Sequence, residues 1–448
     1  MAFSSGSGGV GALVADVGAF SFRLGFAGDE LPRCYRASLI GVATSSASTG
    51  APGTGTTASP QPKHYFELSQ SREEMKIESI VDGSGLIHDW KLLEKMLSFA
   101  QTHYMKLDFK DTPIILAEKP YNTPKLRHQM CELVFEKLGS PATFLSKDAV
   151  LACYACGKTS GLVIDIGASG TVVTPIQDGW AESRNSLRSI VGGRYMDNYL
   201  FHLLKKRRGA APTPHFRLMR GLDPTGALVV APRPNLGAIH PTFDALMNLE
   251  LGRDCKETVC RMADSSLTEA AQRYSSIPTA PYELPDGTIV DMGIERYMVP
   301  ELLCDSTAVA SASQTILASG APDDLDLLGL GKDSGNCSFE SVPRIALEVA
   351  MRSEVDLQAN LLANVVVTGG GASFDGLPER FKAEIEKLVH PLAPQTKVKV
   401  MAAGAGERAI CAWLGGSILG SLGSFHEMWF TRAEYEEYGA QLVDRKCP

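Results

Sequence analysis

The chain has 448 residues and a mass of 48.1 kDa, which is long for one hydrophobic core and predicts two or more lobes. Its 44% hydrophobic and 21% charged residues are typical of a globular protein. The formal net charge of −8 disfavours nucleic-acid binding through the whole surface. No signal-peptide pattern is recognised, and no uncharged apolar run reaches the roughly 18 residues of a membrane span, so no membrane association is expected.

The first predicted element is a β-hairpin in the stretch GALVADVGAFSFRLGFAG. An apolar strand leads to Asp16, a glycine turn follows at Gly18, and the return strand carries Arg23. Asp16 either binds a metal ion through water or caps its own turn. Arg23 is either a fixed positive charge for a phosphate or an exposed strand residue.

Three stretches are predicted to be surface insertions. Residues 43–62 are nearly all small, polar or proline residues and predict a disordered loop, because they cannot bury enough apolar surface to fold. Residues 205–243 and 319–339 are predicted to be irregular. The first of these begins with the basic run at 205–208, which is either a nuclear import or nucleic-acid signal or a solvated helix end.

The apolar run LSKDAVLACYACGK predicts a helix that contains Cys153 and Cys156 in CxxC spacing. A structural zinc site would need a second pair of ligands, and the sequence offers none, so core cysteines are expected. The ten cysteines show no paired framework, which suits a reducing compartment.

A second hairpin follows in SGLVIDIGASGTVVTPIQDG, with Asp165 and Gly167 at the points equivalent to Asp16 and Gly18. Two hairpins of one pattern predict a duplicated α/β fold with a ligand between its halves. The repetition favours a metal-binding role for both aspartates. Backbone N–H groups in such glycine turns can also bind phosphate oxygens.

A third glycine-rich segment is ANVVVTGGGASFDGLPERF, in which a buried strand leads through Gly369–Gly371 into a helix. Alone this pattern is as consistent with a tight packing turn as with a ligand site. Together with the two hairpins it predicts the third wall of a nucleotide cleft. Glu379, Arg380, Lys382 and Glu384 are predicted to form the polar face of the helix.

Several long segments resemble actin and the actin-related proteins. They include GFAGDELPR, YELPDGTIVDMGIERYMVPELL and the final WLGGSILGSLGSFHEMWFTRAEYEEYGAQLVDRKCP. Further segments resemble the nuclear branch of the family, whose members are subunits of chromatin-modifying complexes: DVGAFSFRLGFAG, SREEMKIESIVDGSGLIHDW and FLSKDAVLACYACGK. The resemblance implies an actin-like ATPase fold with two duplicated lobes, or four subdomains, around a nucleotide cleft.

The resemblance also implies domain boundaries. The outer lobe would comprise residues 1–160, with 43–78 as its small subdomain, and would be completed by residues 410–448. The inner lobe would comprise residues 161–409, with 191–344 as its smaller subdomain.

By the same resemblance, the cofactor is ATP with Mg²⁺ or Ca²⁺ bound through water. The metal-linked carboxylates would be Asp16, Asp165 and Asp148. The residues expected to bind nucleotide are Asp16, Gly18, Ala19, Arg23, Asp165, Gly167, Ala168, Gly170, Lys256, Glu257, Gly369, Gly370, Phe374 and Glu407.

Four positions depart from the actin pattern. Ala19 replaces a hydroxyl residue that would bind phosphate, and Ala409 replaces a lysine beside the adenine. Asp148 stands where actin has the glutamine that positions the attacking water, and Val172 where it has a histidine on the water's path. Because water positioning is much of what a protein contributes to phosphoryl transfer, hydrolysis is expected to be slow or absent.

The resemblance also implies a partner groove lined by Tyr154, Thr159, Leu419, Leu422 and Met428, unless these residues form a filled local core. Expected partners are actin or another actin-related protein, a long amphipathic helix of a chromatin-complex scaffold subunit, and nucleosomes or histones indirectly. A nuclear location follows from the same resemblance. The alternatives are a cytoplasmic cytoskeletal actin-related protein and an active phosphotransferase of the wider superfamily.

Overall fold

The computed structural model describes residues 11–43, 62–72, 74–226, 228–268, 277–317 and 337–447. The predicted disordered loop and the predicted insertion at 319–339 lie almost wholly outside these residues. No helix in the described ranges is long and apolar enough to cross a membrane.

Most strands of the chain belong to two large sheets. The strands are β1 Leu13–Val17, β2 Ser21–Phe26, β3 Cys34–Ala37, β4 Leu39–Ala43, β5 Lys63–Tyr65, β6 Lys76–Ser79, β7 Ile114–Glu118, β8 Ala142–Lys147, β9 Gly161–Ile166, β10 Thr171–Gln177, β11 Trp180–Ala181, β12 Leu187–Ser189, β13 Leu218–Leu222, β14 Leu228–Pro232, β15 Ala280–Glu283, β16 Ile289–Met292, β17 Cys337–Ser338, β18 Val365–Thr368, β19 Val400–Ala402 and β20 Phe430–Thr431.

Helices cover these sheets and build the smaller subdomains. The α-helices are α1 Trp90–Ala100, α2 Pro124–Glu132, α3 Asp148–Ala155, α4 Gly193–Arg208, α5 Pro241–Val259, α6 Glu295–Glu301, α7 Ser306–Leu317, α8 Val342–Arg352, α9 Val355–Ala363, α10 Leu377–Val389, α11 Ala405–Ser421, α12 Arg432–Tyr438 and α13 Val443–Lys446.

The two large sheets share one topology. The first has the order β20-β8-β7-β1-β2-β3, and the second has the order β17-β12-β10-β9-β18-β19. In the first, β1 pairs in parallel with β7 and antiparallel with β2; in the second, β9 pairs in parallel with β18 and antiparallel with β10. The predicted duplicated α/β fold is therefore confirmed.

Each half begins with the predicted hairpin, and the registers place the site aspartates on the two hairpins. Asp16 on β1 lies opposite Arg23 on β2, while Asp165 on β9 lies opposite Val172 on β10. The first hairpin thus supplies a cation to its own aspartate. The second supplies only an apolar side chain, so Asp165 needs a cation from elsewhere.

The hydrophobic core is divided between the two halves. One cluster packs around β1, β7, β8 and α1, and another around β9, β18, α4, α8 and α10. Helix α11 packs along α3 and also contacts strands of both sheets. The predicted domain boundary at 409/410 falls inside this continuous helix.

A small three-stranded sheet, β5-β4-β6, projects from the outer lobe and meets the inner lobe. Six buried side chains from both lobes form one apolar cluster, which we call the bridging cluster: Leu39, Met75, Ile77, Phe216, Phe243 and Leu246. The Ile77 N–H donates to Thr242 Oγ1 at 2.8 Å, and the Glu74 N–H donates to Ala238 O at 2.9 Å. The lobes are in contact across the cleft.

The prediction that residues 205–243 form an irregular insertion was wrong in part. Helix α4 continues to Arg208, and β13 and β14 pair as an antiparallel hairpin before α5 begins at Pro241. Two of the four basic residues at the end of α4 are held in ion pairs, Arg207 with Glu295 and Arg208 with Asp286. These contacts favour the helix-end interpretation of the basic run.

Candidate functional site

A cavity of about 590 Å³ lies between the two halves of the fold. Its walls come from the two hairpin turns, from the glycines after β18, and from the first turns of α3 and α11. These are the three glycine-rich segments that the sequence pointed to, brought together by the duplicated topology. The volume suits a ligand of nucleotide size.

The first hairpin contributes Asp16, Gly18, Ala19 and Arg23 to the cavity wall. The Gly18 N–H donates to Ser21 O at 3.0 Å and closes the turn. Arg23 donates to the Asp16 carboxylate, and both side chains are about nine-tenths buried. The aspartate at this turn therefore has a permanent basic partner.

The second hairpin contributes Asp165, Gly167 and Ala168, but Gly170 is not part of the cavity wall. A Cβ on Gly170 would lie 2.4 Å from Ser189 O, so this glycine permits the close approach of β12. The prediction that Gly170 contacts the ligand is not supported by its position. Gly170 helps to shape the turn that does line the cavity.

The third wall contains Gly369, Gly370 and Phe374. Arg408 also lines the cavity and donates to Ala372 O at 2.6 Å, which fixes the start of α11 against this segment. Glu407 is exposed and lies outside the cavity wall. Its neighbours on α11 line the cavity instead, because successive helical residues point about 100° apart.

Lys256 and Glu257 on α5 line the opposite end of the cavity. The Lys256 ammonium is buried and lies 2.6 Å from the Asp197 carboxylate, so it holds α5 against α4. The Glu257 carboxylate is two-thirds exposed at the cavity rim. Of this predicted pair, Glu257 is the more accessible to a ligand from solvent.

The sequence analysis missed Lys119, which lies at the cavity floor directly after β7. Its ammonium is 2.7 Å from Asp148 and 3.1 Å from Asp165. We call these three residues the floor triad. Burial alone lowers the pKa of the Lys119 ammonium, but the two carboxylates outweigh burial and hold this pKa well above its usual value. Lys119 is therefore a fixed positive charge.

The same surroundings favour the charged form of Lys119 but disfavour the charged form of Asp148. Burial and the neighbouring Asp165 carboxylate raise the pKa of Asp148 to about 6, although Lys119 acts to lower it. One ammonium is shared between two carboxylates and fully compensates neither. The floor triad carries a net charge of about −1 when both carboxylates are ionised.

The three carboxylates predicted to hold a metal ion line one cavity, but their surroundings do not fit a divalent cation. Arg23 pairs with Asp16, and Lys119 pairs with Asp148 and Asp165. Two unit charges of one sign repel by roughly 4 kcal/mol at about 4 Å near a protein surface, and a divalent ion doubles this. Within the described residues, no group of three His, Cys, Asp or Glu side chains is placed to hold a metal ion.

The positions that depart from the actin pattern all lie at or beside the cavity. Ala19 and Ala409 line it and offer no polar side-chain atom. Val172 lies on the return strand of the second hairpin and is 5% exposed. The Asp148 carboxylate lies 2.7 Å from the Lys119 ammonium through Oδ2.

The predicted groove residues lie at the far ends of α3 and α11. Both helices begin at the cavity, with Asp148 and Ala405 in its wall, and run away from it. Leu422 and Met428 are 48% and 43% exposed, and Tyr154 is half-buried. Leu419 packs into the outer-lobe core and is only 9% exposed, so it is not available as a groove residue. Thr159 is exposed.

Cys153 lies in the last turn of α3, and Cys156 directly follows the helix. Cys153 is fully buried among apolar side chains. The expectation of a core cysteine is confirmed for Cys153.

Two sheets of one topology around a glycine-walled cleft define an actin-like protein. The chain belongs to the actin family, since the family model described as Actin matches residues 7–448. Members of this family bind a nucleotide and a divalent metal.

Individual relatives match over the whole chain. The chain is 32% identical to Actin-related protein 4 of Oryza sativa subsp. indica, over 98% of this chain and 99% of the relative. It is 30% identical to Actin-related protein 4 of Arabidopsis thaliana, with the same coverage. A third protein of that name, from Gibberella zeae, is 29% identical over 98% of this chain and 96% of its own length. The chain is therefore similar to proteins called Actin-related protein 4.

Proposed function

We propose that this protein binds ATP or ADP in the cleft and works as an actin-like scaffold subunit of a nuclear chromatin-remodelling or histone-acetyltransferase complex, with little or no ATP hydrolysis. The nuclear and chromatin assignment rests on the segments that resemble the nuclear branch and on relatives named Actin-related protein 4. Its partners would be actin or another actin-related protein, a long helix of a scaffold subunit, and nucleosomes indirectly.

The observation that carries the proposal of slow hydrolysis is the engagement of Asp148 by Lys119 at 2.7 Å. A water molecule that attacks a γ-phosphate must be oriented by a polar side chain that is free to contact it. Asp148 is a lysine-paired carboxylate that would repel the γ-phosphate where actin has a neutral glutamine, and Val172 has no polar atom. ATP bound in this cleft would stabilise the closed lobes without being consumed.

Nucleotide content and turnover together test the proposal. Protein purified under native conditions should release ATP or ADP when it is denatured, as measured by chromatography. Steady-state phosphate release should be far below that of filament-activated actin in the same assay. A persistently empty cleft would contradict nucleotide binding, and turnover equal to that of actin would contradict the scaffold role.

The double variant Asp148→Gln and Val172→His supplies the matched comparison for hydrolysis. It restores both residues of the actin pattern, and we expect its phosphate release to exceed that of the wild type if the cleft can close.

Identification of the proteins that copurify with the native chain tests the chromatin assignment directly. Recovery with cytoskeletal filaments instead would favour the cytoplasmic alternative.

A further inference from the structure

Lys119 enters the proposed function only as the partner of Asp148, although its ammonium also contacts Asp165. It follows the last residue of β7 and is succeeded by Pro120, so its backbone is fixed at the sheet edge that faces the cavity. Glu118, the preceding residue, points the other way and accepts from Arg127 at 3.0 Å and from Lys147 at 2.5 Å. The alternation of a strand thus directs Lys119 alone into the cleft.

The Lys119 side chain is largely buried, 17% exposed, and its ammonium bridges two halves of the duplicated fold. Asp148 is the first residue of α3 in the outer lobe, whereas Asp165 is the penultimate residue of β9 in the inner lobe. The ammonium therefore lies between two of the three carboxylates that the actin resemblance assigns to the metal ion.

We propose that Lys119 is the built-in counter-ion of this cleft, and that the protein binds the metal-free form of a nucleoside di- or triphosphate. This inference rests on the proposed nucleotide-binding function and specifies the ligand of that same site. Lys119 and Arg23 are fixed cations that pair with the three carboxylates a hydrated metal ion would otherwise contact. A divalent ion has no unpaired carboxylate among Asp16, Asp148 and Asp165 to attract it.

Two consequences separate this arrangement from a metal-dependent site. First, magnesium should not strengthen binding, because the ion would be repelled by Lys119 and would compete for its carboxylates. Second, removal of the ammonium should free Asp148 and Asp165, which could then hold a hydrated divalent ion. Loss of Lys119 would therefore create a metal requirement.

The experiment measures the dissociation constants of ATP and ADP by calorimetry, with the full chain stripped of nucleotide under native conditions. Each titration is run in excess magnesium chloride and again in excess EDTA. For the wild type we expect the two constants to agree within about threefold. For Lys119→Met, which keeps the side-chain length, we expect binding in EDTA to weaken about tenfold or more and magnesium to restore most of it.

Two further variants keep the test interpretable. Lys125→Met removes an exposed lysine of α2 outside the cavity wall and should behave as the wild type. The double variant Lys119→Met and Asp148→Asn retains the net charge of the floor triad and leaves one uncompensated carboxylate, Asp165, instead of two. It should still lose binding in EDTA.

The outcomes distinguish the inference from the proposed function. Wild-type binding that occurs only with magnesium overturns the role of Lys119 but leaves nucleotide binding intact. The same metal dependence in the wild type and in Lys119→Met also overturns it. Folded wild-type protein that binds neither nucleotide under either condition overturns both the inference and the proposed function.

Discussion

Gly369 occupies a backbone position that another residue could take only with strain. Its φ angle is +92°, and an added Cβ would lie 2.4 Å from Ile166 O and 2.5 Å from Asp165 Oδ1. The third wall of the cavity can therefore approach the second hairpin only because this residue has no side chain. The next residue, Gly370, meets nothing within 4 Å and carries no such requirement.

We expect Gly369→Ala to lower the free energy of unfolding by about 1–3 kcal/mol, from its backbone conformation and the displaced hairpin. It should also reduce nucleotide retention, because Asp165 would move. Thermal unfolding and the nucleotide content of the purified variant measure the two effects. Gly370→Ala is the matched control, and equal unfolding temperatures for both variants would show that the close approach is unimportant.

At the scale of single residues, sequence reasoning found the aspartates and glycines because a pattern repeats around them. Asp16 and Asp165 stand at equivalent points of two similar hairpins, and the structure places both at the cavity. Lys119 belongs to no repeat, and its partner Asp165 is 46 residues away. A lone lysine after an apolar strand gives no signal until the topology brings its partners together.

Helix α10 is anchored to α6 by a buried ion pair. Arg380 donates two hydrogen bonds to Glu301, at 2.9 Å and 3.1 Å, and both side chains are 2% exposed. Arg380 also donates to Ala263 O at 3.0 Å and to Glu384 on its own helix at 2.9 Å. The prediction that Arg380 lies on an exposed polar face was wrong, because helical periodicity turns this residue toward α6.

Removing one partner of this pair should be costly, because the other charge would stay buried without compensation. We expect Arg380→Met to destabilise the inner lobe by about 3–5 kcal/mol. Lys382→Met, two residues along the same helix and half-exposed, should change stability by less than about 0.5 kcal/mol. Thermal and denaturant unfolding of the two variants give the comparison.

The double variant Arg380→Met and Glu301→Leu tests the reason for the loss. Replacing both charges with apolar side chains removes the uncompensated carboxylate, so most of the lost stability should return. If the double variant is as unstable as Arg380→Met alone, the ion pair acts through packing and not through charge.

At the scale of elements, the sequence predicted strands well where a periodic apolar pattern was uninterrupted. The hairpins β1–β2 and β9–β10 appear where expected. The hairpin β13–β14 was missed because it lies between proline-rich segments and most of β13 is exposed. Its strands pair with each other and contribute few side chains to the core, so they lack the alternation that marks a half-buried strand.

The whole molecule is held closed by contacts on both sides of the cavity. The bridging cluster joins the small outer sheet to α5, and Arg188 of the inner lobe donates to Gly83 O at 3.1 Å. Sequence patterns predicted two halves because the duplication leaves similar hairpins in both. They could not predict these contacts between lobes, because the apolar residues that form them have the same sequence pattern as residues buried within one lobe.

Because a bound nucleotide leaves only when the lobes separate, the bridging cluster should slow its release. Phe243 is 1% exposed at the centre of this cluster. We expect Phe243→Ala to raise the dissociation rate of a fluorescent ATP analogue about tenfold or more, since truncation of a buried phenylalanine costs about 3–5 kcal/mol. Met219→Ala, at a half-exposed position of the same lobe, is the control. Unchanged release from folded Phe243→Ala would show that the cluster does not restrain opening.

Leu422 and Met428 are exposed apolar residues that follow helix α11. Helices α3 and α11 both start in the cavity wall and pack against each other along their length. The exposed Leu422 and Met428 follow the far end of α11, and the half-buried Tyr154 lies in the last turn of α3. Closure of the cleft should therefore alter this surface, and occupation of the surface should alter nucleotide affinity by the same factor.

We predict that Leu422→Asp weakens docking of a partner helix by about 2 kcal/mol or more, because a charge would face an apolar surface without a partner. The measurement is recovery of native partners by tagged wild-type and variant protein, with nucleotide retention as the check on folding. Leu392→Asp, which places the same charge at an exposed leucine after α10, is the matched control. If the folded Leu422→Asp protein keeps every partner, docking occurs on another surface. Binding of the partner should also slow nucleotide release from the wild type but not from Leu422→Asp, since the coupling runs through this contact.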